Sequence, residues 1–183
     1  WYVGKSSGYL LLPGGEYVDP WINLGEGTFS GDFFFGTFGA TPADYKVNVY
    51  KSSEANIYRV EDALKGLYAA LGFKGTSPTF EFDATDVDNI SLPLTSTGIT
   101  SKTNGAYLAV SDNQIYDTIE ECPEETRITL TKEGTTATIT FPAGSLGLYA
   151  QTSQKLYYGN EEVAAFLTFT EPETSGLGSI EAV

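Results

Sequence analysis

Apolar and polar residues alternate along much of the chain, the two-residue period that gives a β-strand one buried and one exposed face. The clearest example is the pair of runs 127–131 and 136–141, in which Ile128 and Leu130 are in phase with Ala137, Ile139 and Phe141. A turn over Lys132-Glu133-Gly134 between them predicts an antiparallel hairpin with an apolar inner face and a threonine-rich outer face. Shorter alternating runs at 45–50, 80–83 and 107–110 read as further strands. Phe33-Phe34-Phe35 and residues 164–169 are more continuously apolar, which suits strands covered on both faces or a short buried helix.

One segment carries the helical period instead. Across residues 61–71, Leu64, Leu67, Tyr68 and Leu71 share one face, acidic residues lead and Gly72 follows. Gly66 weakens this helix by about 1 kcal/mol relative to alanine, so tertiary packing has to hold it in place. The pattern therefore predicts a mainly β fold, an antiparallel β-sandwich or barrel-like domain with one short helix, over residues 1–173. Residues 174–183 have the composition of a flexible tail or linker, as do Gly14-Gly15.

Composition narrows the functional classes. Hydrophobic residues make up 41% of the chain and aromatics 14%, enough to build a core without disulfide or metal staples. A net charge of −14 repels phosphate backbones, and no Lys/Arg cluster reverses it, so nucleic acid is not an expected partner. No apolar run has transmembrane length, so no membrane insertion is expected from this segment. The chain opens on Trp1 and contains no Met, which reads as a processed or truncated product with any tether upstream.

Histidine is absent, which removes the usual general base of Ser and Cys hydrolases and the commonest transition-metal ligand. Cys122 is the single cysteine, and the acids around it, Glu120, Glu121, Glu124 and Glu125, oppose thiolate formation. Neither GxGxxG nor a P-loop pattern occurs, so no cofactor is expected. Asp83, Asp86, Asp88 and Asn89 offer hard oxygen ligands, but their spacing fits side-chain turns better than a calcium loop. Arg59, one of only two arginines beside Arg127, is expected to hold a carboxylate in a structural ion pair.

Several segments, taken in order, resemble a group of uncharacterised secreted or lipid-anchored surface proteins of gut Bacteroidetes. They are Trp21-Ile22-Asn23-Leu24-Gly25-Glu26-Gly27-Thr28-Phe29-Ser30-Gly31-Asp32, then the run from Tyr45 to Tyr50, Ile57-Tyr58-Arg59-Val60, Asp83-Ala84-Thr85-Asp86-Val87-Asp88, and Ile139-Thr140-Phe141-Pro142. The group's Asn-Pro-Tyr after the Tyr-Arg pair is replaced here by Glu61-Asp62-Ala63. The resemblance implies an extracytoplasmic, cell-surface location, a lipid anchor upstream of Trp1, and a role in adhesion or glycan handling; it transfers no catalytic residue.

These readings converge on a non-catalytic surface module that binds a glycan or a cell-surface protein. Aromatic side chains suit that role, because a ring offers a rigid apolar face for a sugar or a partner. Trp21, Tyr157 and Tyr158 are the candidate ligand-binding residues, with no catalytic or metal set named. Core packing is the competing role for such rings, although one of the adjacent Tyr157 and Tyr158 must face outward in a strand. A carboxylate-dependent accessory glycoside hydrolase and a purely structural component of a surface assembly are the alternatives.

Overall fold

The structure is a computed structural model that describes residues 10–11, 17–18 and 20–173. The expected tail at 174–183, Gly14-Gly15 and the N-terminal Trp1, Tyr2 and Tyr9 lie outside the described residues. In chain order the strands are β1 (Leu10–Leu11), β2 (Tyr17–Val18), β3 (Trp21–Gly31), β4 (Tyr45–Ser52), β5 (Ile57–Glu61), β6 (Phe80–Asp83) and β7 (Thr95–Ser101). They continue with β8 (Gly105–Ser111), β9 (Thr129–Glu133), β10 (Thr136–Phe141), β11 (Leu146–Ala150), β12 (Lys155–Tyr158) and β13 (Ala165–Thr170). Helix α1 spans Lys65–Leu71. All pairings are antiparallel: a seven-stranded sheet ordered β6-β5-β4-β3-β13-β10-β9, a four-stranded sheet ordered β12-β11-β8-β7, and a small β1-β2 ladder. The fold is mainly β, as the alternating pattern predicts.

The larger sheet curls, and the segment after β6 knits its two ends together. Asp83 and Ser91 exchange backbone hydrogen bonds of 2.9 and 3.0 Å at the β6 edge. At the opposite end, the Ile90 N–H donates to the Ile128 carbonyl and the Leu130 N–H to the Val87 carbonyl, both at 2.8 Å. The segment then meets the second sheet, where the Ser111 N–H donates to the Leu92 carbonyl. Strand ends that would otherwise be open are covered in this way, which gives the fold its barrel-like character.

A single cluster of buried side chains joins the two sheets, with Phe29, Val47, Val49 and Ile139 from one and Ala109, Leu146 and Leu148 from the other. Phe33-Phe34-Phe35 depart from the sequence expectation: they form neither strand nor helix but a bend after β3, with all three rings fully buried. Phe34 sits at φ 67°, and its N–H donates to the Gly159 carbonyl at 3.0 Å. A tight bend can bury three consecutive rings, which a strand with alternating side-chain directions does only when both faces are covered. Strand β13 departs the other way. Its residues alternate strictly between buried and exposed, and Phe166 is on the exposed face.

Helix α1 is shorter than the apolar period predicts, because Glu61 ends β5 and Asp62 turns the chain at φ 51°. The helix ends at Gly72, which adopts a left-handed conformation at φ 72°. Gly66 has a packing reason: a β-carbon there would lie 2.3 Å from the Tyr45 ring. The ring occupies the space that alanine would need, so helix propensity gives way to tertiary contact.

The β9–β10 hairpin pairs Glu133 with Thr136, so its loop is Gly134-Thr135 and the strand runs two residues further than the sequence suggests. Gly134 has φ 60° and open space where a side chain would go. Replacing it with valine is therefore expected to cost about 1–2 kcal/mol through backbone strain alone. A urea titration of Gly134→Val showing no shift of the midpoint would contradict this.

Candidate functional site

Strand β12 lies at the edge of the four-stranded sheet, and a groove of about 600 Å³ runs beside it. Because β12 has a neighbour on one side only, consecutive residues along it reach the same groove. Tyr157 and Tyr158 both line it, opposite Asp32, Asn113, Glu161 and Glu162, while Ile115 and Val163 form apolar rims. Ile115 is 72% exposed and Val163 50%.

Each wall has an identifiable support. The Asn113 side chain is buried, with Nδ2 donating to the Tyr157 carbonyl at 2.8 Å and Oδ1 accepting the Ile115 N–H at 3.1 Å. That second bond holds Ile115 at φ 61°, a costly conformation for a β-branched residue and one that natural folds concentrate at working sites. Asp32 is buried and accepts the Gly36 N–H at 3.0 Å, and the Thr37 hydroxyl donates to the Tyr158 carbonyl. The Tyr157 ring meets Tyr107 edge-on at 6.4 Å, which itself meets Phe38 at 5.4 Å. Both tyrosines are half-buried, with one side packed and one side on the groove.

Trp21, the third candidate, stands elsewhere. At the start of β3 it stacks on the Arg59 guanidinium, whose carbon lies 3.8 Å from the ring centroid. Arg59 in turn holds Glu81 through Nε at 3.1 Å and Nη2 at 2.8 Å. The structure brings Tyr157 and Tyr158 together and leaves Trp21 in a cation–π stack on the other sheet. Arg127 likewise grips a carboxylate, the fully buried Asp112, through Nη2 at 3.0 Å and its own backbone N–H at 2.8 Å. Arg59 therefore sits in the structural ion pair expected of it in so acidic a chain, and Arg127 sits in another.

A second polar cluster caps the core at the end of the curled sheet. Lys51, Tyr58, Lys132 and Glu171 extend the inward-facing series of β4, β5, β9 and β13. The Glu171 carboxylate accepts from Lys51 Nζ at 2.5 Å, Tyr58 Oη at 2.6 Å and Lys132 Nζ at 2.8 Å. Burial pushes the Glu171 pKa up, but the three donors outweigh it and hold the carboxyl below its ordinary range. Burial and the same carboxylate push the Tyr58 hydroxyl far above its ordinary value. Every group in the cluster is engaged with another, which marks it as a structural latch.

The remaining candidates have structural partners. Asp83 Oδ1 accepts from the backbone and hydroxyl of Thr85, and Asp86 accepts from the Asp88 N–H and Asn89 Nδ2, each at or within 3.0 Å. These are side-chain turns, and the bonds from Asn89 and Asp88 lower the Asp86 pKa. Cys122 is partly buried, and burial first, then Asp112, Glu120 and Glu121, push its thiol pKa up. No helix among the described residues is long and apolar enough to cross a membrane. Comparison with protein-family models, with curated proteins and with solved structures gives no match.

Proposed function

We propose that the chain is a non-catalytic, extracytoplasmic surface module that binds a neutral glycan along the edge of β12. The observation that carries this reading is the convergence of Tyr157 and Tyr158 on one groove with Asn113, Asp32, Glu161 and Glu162. Half-exposed rings offer the apolar face that a pyranose needs, and carboxylates and amides accept hydrogen bonds from its hydroxyls. The acids also select. Asp32, Glu161 and Glu162 would repel a uronic acid or a sulfated sugar, so neutral oligosaccharides are the expected class. The extracytoplasmic location rests on the surface-protein resemblance.

Tyr157→Ala and Tyr158→Ala are each expected to weaken oligosaccharide binding by about 1–3 kcal/mol while the chain remains folded. Trp21→Ala should leave binding unchanged, since Trp21 belongs to the Arg59 stack. Array screening followed by calorimetry on the three variants, with thermal unfolding beside it, decides the matter. Unchanged binding in folded Tyr157 and Tyr158 variants would remove this site. Three carboxylates on one groove also supply the elements of a glycosidase, which is the second reading. Bond cleavage in the bound oligosaccharide, abolished by Glu161→Gln or Glu162→Gln, would favour it.

A further inference from the structure

Strand β3 is paired with β4 from Trp21 to Phe29, but with β13 only from Thr28 to Gly31. The register with β13 would continue to Phe169 opposite Gly27 and Thr170 opposite Glu26. Instead the ladder between the two strands ends, while β13 stays bound to β10 through Thr170 and the Glu171 N–H donates to the Thr135 carbonyl at 2.8 Å. Beyond the break, toward its start, β3 carries a bulge in its pairing with β4 between Asn23 and Gly25, where Gly25 has φ 86° and its N–H is taken by Asn23 Oδ1 at 2.7 Å. A bulge locally bends and twists its strand, and this one lies in the half of β3 that β13 does not pair.

Beside this half of β3 lies a cleft of about 620 Å³. Ile22, Asn23 and Leu24 line it together with the end of β4 and the connection after it, residues 51–56, and with the end of β13 and the residues after it, 170–173. Among the described residues, no strand pairs with this side of β3 over Ile22–Gly27. Ile22 is 51% exposed, although it lies in the middle of a sheet and not at its edge. An open strand edge beside an apolar-walled cleft is the geometry of strand addition, in which an extended chain docks through its backbone and uses alternate side chains for specificity.

We infer that this cleft binds an extended, basic peptide segment of a partner protein, which adds as a strand to β3. The backbone edge calls for an extended polypeptide, since a sugar does not match the regular spacing of strand donors and acceptors. Ile22 and Leu24 provide the apolar wall. Charge sets the sign of the partner: Glu54 and Glu173 line the cleft and are exposed, whereas Lys51, the cation in the lining, is already held by Glu171. A segment flanked by lysine or arginine complements this rim.

The test uses the whole chain and a synthetic peptide of alternating valine and threonine with a lysine at each end. Hydrogen exchange is followed at the amides of Ile22–Gly27, with fluorescence anisotropy of the labelled peptide for affinity. Peptide binding is expected to slow exchange at these amides by at least about tenfold, leaving the β12 groove unchanged. The double variant Glu54→Lys/Glu173→Lys should bind at least about tenfold more weakly, and a peptide with proline at alternate positions should not bind. Three results would overturn the inference. Protection of Ile22–Gly27 in the free chain equal to that of Thr28–Ser30 would show the cleft filled from within. Loss of that protection on dilution would show a second copy as its occupant. Peptide affinity that the prolines leave unchanged would show that no strand forms. Oligosaccharide binding at Tyr157 and Tyr158 is independent of each outcome.

Discussion

Phe33→Ala is expected to destabilise the chain by about 3–5 kcal/mol, the cost of deleting a fully buried aromatic ring and leaving a cavity. Phe33 is the hub of the ring cluster. It stacks on Phe29 at 4.0 Å and meets Phe34 at 4.9 Å, Phe141 at 5.4 Å and Phe80 at 6.1 Å. These rings come from β3, the bend after it, β10 and β6, so the neighbours are fixed by separate elements and cannot close over the void together. The loss is a large share of the roughly 5–15 kcal/mol that holds an ordinary domain folded. Equilibrium urea unfolding measures it. A loss below about 1 kcal/mol would mean that the bend is not the centre of the core.

Glu171→Gln is expected to cost about 3 kcal/mol at neutral pH, because two lysines and a tyrosine lose the carboxylate on which they converge. The glutamine keeps the volume, so the effect reports charge and hydrogen bonding. The pH dependence has a definite sign. The folded-state pKa of Glu171 is depressed, so its stabilisation is fully present above the ordinary glutamate value of 4.5 and is lost as pH falls through the lower folded value. The difference in stability between the native chain and Glu171→Gln should therefore be constant from neutrality to about pH 5 and shrink below it. A difference that is independent of pH into the acid range would contradict the latch.

Much of this fold was readable because side-chain alternation is a local signal. The runs at 45–50, 80–83, 107–110 and 136–141 all lie in strands, and the β9–β10 hairpin was evident from phase and Gly134. Three consecutive phenylalanines were not readable in the same way. Phe33-Phe34-Phe35 have no period, and only the Phe34 turn at φ 67° lets all three face inward. The Glu171 latch was legible in principle: Ala165, Leu167 and Phe169 are buried positions of β13, and Glu171 is the next in phase. An acid that continues a buried series calls for partners, and Lys51 and Lys132 occupy the corresponding positions after Val49 and Leu130.

The groove was half legible. The adjacent Tyr157 and Tyr158 were recognisable as rings facing both ways from one strand, but Asp32, Asn113 and Glu161 are distant in sequence and lie in connections without a period. Only the pairing of β12 at a sheet edge, with the bend after β3 folded against it, brings them together. Trp21 could not be separated from the tyrosines by sequence, because its stack on Arg59 depends on the register of β3, β4 and β5.

The most direct test of the glycan-binding proposal is amide chemical-shift mapping with the tightest-binding neutral oligosaccharide from an array. The account predicts shifts concentrated at Gly36 and Thr37, Asn113 to Ile115, Leu156 to Tyr158 and Glu161 to Val163, the residues around the β12 groove. Shifts centred on Trp21 and Arg59, or on the cleft beside Ile22, or no saturable shift with any oligosaccharide tested, would contradict it.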